Sequence, residues 1–134
     1  MSDRLEEFRR FRERMNERIL EAGNLEIKRF FALDSRAYDP GALDSKTKEL
    51  LGLVASLVLR CDDCVTYHLI RCREEGVTDP EFLEALNVGL IVGGSIVIPH
   101  LRRAVDTLDQ ISARAETQEA RFDELTDGAL EVDA

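Results

Sequence analysis

Residues 50–72 read LLGLVASLVLRCDDCVTYHLIRC. The opening part of this stretch is apolar on nearly every side of a helix, which is typical of a helix that is buried all round. Arg60-Cys61 interrupts the apolar run. Asp62-Asp63 then favours the start of another helix, because acidic side chains stabilise the positive end of the helix dipole. The stretch therefore predicts two helices joined by a very short connection.

Turn and capping residues divide the rest of the chain into further helices. The first predicted helix ends at Gly23-Asn24 and the second ends before Asp39-Pro40-Gly41. The third covers about Lys46 to Leu59, capped by Asp44-Ser45, and the fourth covers about Asp62 to Glu75, closed by Gly76. The fifth has Asp79 as N-cap and Pro80 at N1 and runs to Gly93-Gly94, and the sixth begins near Ser95 to Pro99 and fades after Ile111.

One segment, residues 88–98, is rich in β-branched residues and fits a buried strand as well as a helix. A single strand has no partner to pair with, and no other part of the sequence alternates as a strand does. We therefore expect helix, Gly93-Gly94, helix at this point. The prediction is an all-α chain, with residues 1–134 forming a single domain, as the length alone suggests.

The net charge of −9 is distributed unevenly along the chain. Residues 106–134 carry nine acids and two arginines, a net of −7, and the first 105 residues carry 18 acids and 16 bases, a net of −2. We interpret residues from about 115 to 134 as a solvated acidic tail. The acidic balance argues against nucleic acid as a partner, because phosphate backbones require a basic face.

The N-terminal residues 1–18 are of mixed charge, with no apolar segment of the kind an export signal contains. The longest apolar runs are also shorter than the roughly 20 residues that span a bilayer. The expected location is the cytoplasm, with no membrane partner. Cysteines in that reducing compartment are more often used in redox or metal chemistry than in a structural disulfide framework.

The third and fifth helices are apolar on nearly all sides, and a chain of 134 residues does not easily bury two such helices. The simplest additional cover is another copy of the chain, so these helices predict a homo-oligomer. The alternative is a compact monomer with a central buried helix.

Three cysteines and one histidine are spaced for one stripe of a helix. Cys61, Cys64, His68 and Cys72 are separated by three, four and four residues. Cys61 stands at or just before the first turn, within disulfide reach of Cys64. Tyr67 leaves the stripe and is expected to pack.

The chemistry of this stripe favours a redox function. A helix N-terminus and a nearby imidazole lower the pKa of a thiol, and the thiolate is the reactive form. A second cysteine condenses with a sulfenic acid formed on the first, which completes an oxidation cycle. The acidic pair Asp62-Asp63 opposes this effect, because negative neighbours raise a thiol pKa.

Two other interpretations of the stripe stay open. Cys61, Cys64 and His68, with Cys72 or His100 as a fourth ligand, have the donor types of a zinc site. A straight helix does not wrap a tetrahedral ion, however, so this site is less favoured. The thiols are alternatively structural, without chemistry of their own.

Glu49, Cys61-Asp-Asp-Cys64 and His68, followed by a Gly-rich apolar segment and His100, resemble the carboxymuconolactone decarboxylase and alkylhydroperoxidase D-like family. The resemblance covers about residues 25–108. It implies an alkylhydroperoxidase D-like bundle of about six helices, with helical hairpins packed into trimers or hexamers, the hexamer being favoured. It also implies a thiol-dependent hydroperoxide reductase or disulfide oxidoreductase with peroxiredoxin-type activity, without a cofactor or metal.

The same resemblance assigns roles to the site. Cys64 would be the thiol that reacts with the peroxide, and Cys61 would be the resolving thiol that forms a disulfide with it. His68 with Glu49 would form a proton relay. The partners are a small peroxide and an external thiol or disulfide reductant. His100 and Cys72 are possible pocket residues, although Cys72 is otherwise expected as a small buried residue and His100 as a core or interface histidine.

If the third and fourth helices form a hairpin about Arg60, the geometry supports Glu49 as a site residue near His68. Glu49 would lie ~16 Å back and His68 ~12 Å forward along the two helices. They would then differ by less than a turn, which is close enough for a water-bridged contact. The alternative for Glu49 is an exposed carboxylate in the first turn of a helix.

The sequence also departs from the family pattern. Asp62-Asp63 stands where the best-known peroxidases carry a histidine between the two cysteines. The decarboxylase branch lacks the CxxC pair, so muconolactone decarboxylation is not expected. The alternative function is a non-catalytic redox- or metal-sensing thiol module of the same fold.

Overall fold

The computed structural model describes residues 3–132, with side chains described up to Gln118. Within that part of the chain every regular element is helical and none is a strand, which confirms the all-α prediction. The elements are α1 (Arg4–Ala22), α2 (Leu25–Ala37), α3 (Ser45–Val58), α4 (Asp62–Glu74), α5 (Asp79–Gly93), a 3₁₀ turn (Ser95–Val97) and α6 (Ile98–Val132).

The core forms around α3. This helix packs against both α4 and α5, and α4 in turn packs against α6. Leu53 and Leu57 lie one turn apart on α3 and are completely buried, as are Leu69 of α4 and Phe82 of α5. Burial of apolar side chains such as these favours folding by about 1.5–3 kcal/mol for each side chain.

The connection between α3 and α4 comprises residues 59–61 and turns the chain back on itself. Arg60 takes a left-handed conformation with φ of 61°. Cys61 follows in extended conformation and caps α4, since its Sγ accepts from the backbone N–H of Cys64 at 3.2 Å. The predicted hairpin about Arg60 is thus confirmed, and it places the cysteine pair at the N-terminus of α4.

The start of α5 differs from the prediction by one residue. Thr78, rather than Asp79, is the N-cap, because its hydroxyl accepts from the backbone N–H of Glu81. The Glu81 carboxylate in turn accepts from the backbone N–H of Thr78 at 2.9 Å, which completes a capping box. The hydrogen bond from the Thr78 backbone N–H and the nearby Lys46 ammonium lower the pKa of the Glu81 carboxylate to about 2.

The last helix is longer than predicted. The sequence pattern placed its end after Ile111, whereas α6 continues to Val132. The residues after Ile111 are rich in Ala, Glu and Arg, and their helix propensity sustains the backbone where apolar periodicity fades. Most side chains of the predicted acidic tail, from residue 119 onward, lie outside the described residues.

Helices α1 and α2 bury few of their side chains. Leu5 is the one residue of α1 that is buried, and α2 has none, although it carries Phe30 with 70% of its surface exposed. An apolar face of α5 is also exposed, with Ile91 at 76%. In the described part of the chain, no helix combines the length and apolarity that crossing a membrane requires.

Candidate active site

The site begins with a direct contact between α3 and α4. His68 Nδ1 lies 2.8 Å from Glu49 Oε2, and both side chains are buried. An ionised carboxylate only accepts hydrogen bonds, so Nδ1 carries the proton and donates. The hairpin therefore brings Glu49 and His68 into direct hydrogen bonding, closer than the water-bridged contact expected. Glu49 is 1% exposed, so it is not the solvated carboxylate of the alternative interpretation.

The other oxygen of Glu49 also has a cationic neighbour. Arg71 Nε, from the next turn of α4 after His68, lies 3.5 Å from Glu49 Oε1. A buried carboxylate is costly unless it is paired and hydrogen-bonded, and here each oxygen faces a nitrogen. Glu49 is therefore held in one orientation, which in turn fixes the orientation of the His68 ring.

Tyr38 is a member of the site that sequence reasoning missed. It follows the last turn of α2, and its hydroxyl lies 3.4 Å from His68 Nε2. Because Nδ1 carries the ring proton, Nε2 is the acceptor and the tyrosine O–H donates. Burial raises the pKa of Tyr38, and the charges of Asp34 and Glu49 raise it further, so the hydroxyl keeps its proton. No local pattern links this tyrosine to a histidine 30 residues away.

Tyr67 packs against the edge of the His68 ring, with the ring centroids 5.2 Å apart. The Arg12 guanidinium of α1 lies 4.2 Å from the centroid of the Tyr67 ring, a cation–π contact. The imidazole is thus bordered by Tyr67 as well as by Tyr38, and its freedom to tilt is small.

Cys61 and Cys64 form a disulfide, with their Cα atoms 5.2 Å apart. Cys64 is exposed and Cys61 is partly buried. A disulfide between an N-cap residue and the first turn of its helix is the oxidised form of a dithiol pair. Cys64, the more exposed of the two residues, stands one turn before His68.

A cavity of about 450 Å³ opens beside this pair. Cys64, His68, Tyr38 and Tyr67 line one side of it. The α1 residues that line it are mainly apolar: Phe8, Phe11, Met15 and Ile19, together with the polar Arg12 and Asn16. Cys64 and His68 therefore line the same cavity, which is partly open to solvent.

A second cavity, of about 480 Å³, adjoins the Glu49 carboxylate. Tyr38 and Tyr67 line both cavities, and the second one is polar, with Arg71 and Asp34 among its walls. The Glu49–His68 pair consequently lies between a cavity that holds Cys64 and a polar cavity behind the carboxylate.

Cys72 lies apart from this site. It is completely buried in the core and lines neither cavity. Burial raises the pKa of its thiol to about 12, and the negative charge of Glu49 adds to the effect. The thiol therefore stays protonated at neutral pH, as befits a small core residue.

His100 also lies outside both cavities. Its Nδ1 is 2.8 Å from Asp62 Oδ1, and Arg103 Nη1 is 3.2 Å from Asp62 Oδ2. The two side chains from α6 thus offset the charge of Asp62 beside the cysteines. Asp63 instead is exposed and lines the cavity that holds Cys64. The opposition to thiolate formation expected from both aspartates therefore rests chiefly on Asp63.

Metal ligation was the competing interpretation of the stripe. Across the part of the chain that the structure describes, no three or more His, Cys, Asp or Glu side chains are grouped as ligands of one ion. The stripe divides instead, because Cys61 caps the helix, Cys64 and His68 face the cavity and Cys72 enters the core.

Comparison with protein families gives a match over most of the helical body. A model of the carboxymuconolactone decarboxylase family matches residues 26–107. An uncharacterised protein of the cox locus of Paracoccus denitrificans is 32% identical over 82 residues, which cover 61% of this chain and 74% of that protein.

Solved structures agree with this match. A carboxymuconolactone decarboxylase family protein from Thermotoga maritima, for which a role in the antioxidative response has been suggested, is 57% identical with a TM-score of 0.82, covering 84% of this chain and 96% of its own. The apo form of a family member from Legionella pneumophila has a TM-score of 0.75 at 23% identity, over 83% of this chain and 99% of its own. The second likeness concerns the fold alone.

Proposed function

This chain belongs to the carboxymuconolactone decarboxylase family, and from that premise we propose that it is a thiol-dependent hydroperoxide reductase of the peroxiredoxin type. The observation that carries the proposal is the exposed Cys64, disulfide-bonded to Cys61 and sharing a cavity with His68, whose ring the buried Glu49 orients. The antioxidative role suggested for the Thermotoga maritima relative supports the same chemistry.

The first half of the cycle consumes the peroxide. In the dithiol form, His68 Nε2 takes the proton of the Cys64 thiol, and Glu49 stabilises the imidazolium that results. The thiolate attacks one peroxide oxygen, so an S–O bond forms as the O–O bond breaks. The leaving alkoxide or hydroxide takes the proton back from the imidazolium. The products are a Cys64 sulfenic acid and an alcohol or water.

The second half restores the thiols. The Cys61 sulfur attacks the sulfur of the Cys64 sulfenic acid, the S–S bond forms, and the hydroxyl leaves as water with the Cys61 proton. An external dithiol then reduces the disulfide by thiol–disulfide exchange and is itself oxidised. The cycle needs no prosthetic group, and we place it in the cytoplasm, where thiol reductants are plentiful.

Tyr38 adds a contact that the sequence-based relay lacked. Its hydroxyl donates to His68 Nε2 in the disulfide form, in which no thiol competes for that nitrogen. On reduction the Cys64 thiol becomes a second donor in the same cavity. Tyr38 thereby supplies a hydrogen-bond donor to Nε2 while no thiol is present.

The cysteine pairing before and after a peroxide pulse tests the proposal. We expect the reduced chain to lose two alkylatable thiols, those of Cys61 and Cys64, after one equivalent of peroxide, and to regain them with dithiol. Cys72 is the internal control, since its buried, protonated thiol should resist alkylation unless the chain is unfolded. Mass spectrometry of alkylated peptides makes the measurement.

Two outcomes would count against the proposal. If Cys61 and Cys64 keep their thiols in excess peroxide, the pair is not a peroxide-reactive centre. If they pair but catalyse no continuing oxidation of a dithiol, the non-catalytic redox-sensing module becomes the better description.

The proposal includes a homo-oligomer, with a hexamer favoured over a trimer. The support is the exposed apolar surface. The α5 face comprising Leu83, Val88, Ile91 and Val92 is open, and the apolar side chains of α2, such as Phe30, are likewise uncovered. A second copy of the chain could cover both apolar surfaces.

Replacing Ile91 by glutamate tests this part. On a monomer the change concerns one exposed side chain and should alter little. In an oligomer it would bury a charge, and we expect the mass in solution to fall from about six times 15.2 kDa toward that of one chain. Light scattering measures the mass, and Thr117→Glu on exposed α6 surface is the control. A wild-type mass equal to one chain would contradict the oligomer.

A further inference from the structure

Gly52 lies on α3 one turn after Glu49, at the place where the His68 ring rests on that helix. A Cβ atom at position 52 would stand 2.7 Å from His68 Cε1, 2.8 Å from Nε2 and 3.0 Å from Nδ1. The first two separations are shorter than real Cβ contacts and the third is at their tight end, so either the ring or α3 would have to move. The glycine leaves the space that the imidazole occupies.

Besides α3, three side chains contact the ring. Glu49 holds Nδ1 at 2.8 Å, Tyr38 stands at Nε2, and Tyr67 borders the ring. Ordinary contact with a Cβ begins at 3.4 Å, so an added methyl would push the ring away from α3. Because Glu49 is on α3 too, that movement lengthens the Nδ1–Oε2 hydrogen bond.

Glycine in the interior of a helix is less favourable than alanine, because it loses more backbone freedom on folding. Gly52 has no positive φ and serves no turn, so its backbone does not call for glycine. The close approach of the imidazole is the physical reason for a residue that otherwise weakens α3.

We propose that Gly52 is a positioning residue, which lets the His68 imidazole lie against α3 with Nδ1 in hydrogen-bonding distance of Glu49. The effect on turnover rests on the proposed function, whereas the effect on the ring does not. A displaced ring would no longer have the carboxylate to stabilise its protonated form, and the transfer of the Cys64 proton would slow.

The Gly52→Ala variant tests this inference by activity and by the state of the ring. We expect kcat/KM for peroxide to fall about 10- to 100-fold, as displacements near 1 Å do in preorganised sites, and its pH profile to change. We also expect the imidazole ¹⁵N resonances of His68 to move. The matched control is Gly89→Ala on α5, whose Cβ would stand 2.9 Å from Leu57 Cδ2. That contact is with one terminal methyl of a leucine and involves neither Glu49 nor His68, so activity should be unchanged.

A stability comparison covers the case in which Gly52→Ala folds poorly. In the wild-type chain the substitution should lower the urea midpoint, because the methyl meets the ring. In a His68→Ala chain the ring is absent, and the same substitution should raise the midpoint through helix propensity. This reversal of sign is specific to a clash with His68.

The possible results separate the two proposals. A wild-type protein that does not turn over peroxide removes the proposed function, and the ¹⁵N spectra and urea midpoints still decide the role of Gly52. If Gly52→Ala keeps the wild-type resonances, or if its effect on the midpoint has one sign in both backgrounds, the positioning role is overturned.

Discussion

A Cys64→Ser chain is expected to lose peroxide-dependent thiol oxidation by about 10³-fold or more, since residues that act as the nucleophile of a concerted site have effects of that order. A serine hydroxyl is not ionised at neutral pH, and neither His68 nor the start of α4 makes it a substitute for a thiolate. Cys64 is exposed, so the change of sulfur to oxygen should leave the core intact. Steady-state consumption of peroxide with a dithiol measures the loss.

Two matched serine variants complete this experiment. Cys61→Ser should still reduce one equivalent of peroxide and then stop, with a sulfenic acid on Cys64 that a dimedone adduct reports. Cys72→Ser should keep its activity, because that thiol lies in the core away from both cavities. Retention of full turnover by Cys64→Ser would exclude Cys64 as the peroxide-reactive thiol.

The second large effect is expected for Glu49→Gln. The amide has the size of the carboxylate, and its carbonyl oxygen still accepts from His68 Nδ1. It carries no negative charge to stabilise the imidazolium that forms when Cys64 loses its proton. We expect kcat/KM to fall on the order of 10²-fold, the lower end of what acid–base catalysis contributes, because His68 stays in place as the base but loses the charge that supports it. The helical content should be unchanged. Stopped-flow oxidation of the reduced chain isolates this step.

Glu75→Gln is the control for Glu49→Gln. Glu75 also lies near Arg71, with Oε1 3.5 Å from Nη2, but it does not contact His68. Loss of its charge should change the rate little, because the pair is at the surface. Equal rates for Glu49→Gln and wild type would mean that the buried carboxylate has only a structural part.

Elements that rest on short-range rules agreed closely between sequence and structure. Asp44 caps α3 by accepting from the backbone N–H of Thr47, and Gly76 follows the end of α4 with a positive φ of 86°. Capping and glycine signals act within one turn of helix, so they need no knowledge of the partner helices. The length of α6 was missed because helix propensity, rather than apolar spacing, sustains its second half.

The site was predictable in part. The cysteine pair and His68 share the start of one helix, so their spacing alone places them together. To place Glu49, the hairpin about Arg60 was needed in addition. The rise per residue along the two helices then gave the level of Glu49 relative to His68 to within one turn. Tyr38 and Gly52 had no such signal, because their importance depends on which side chain stands opposite them in the packed structure.

By itself the sequence determined the all-α fold, the capped start of α3, the glycine after α4 and the disulfide-forming spacing of Cys61 and Cys64, because hydrogen bonds and periodicity within a single segment govern these features. Only the tertiary structure decided that Glu49 contacts His68 directly, that Tyr38 stands at the other ring nitrogen, and that Cys72 leaves the stripe for the core. The physical reason is that close packing fixes the rotation and separation of neighbouring helices to fractions of an ångström. Apolar periodicity specifies which face of a helix is buried and leaves the facing partner undefined.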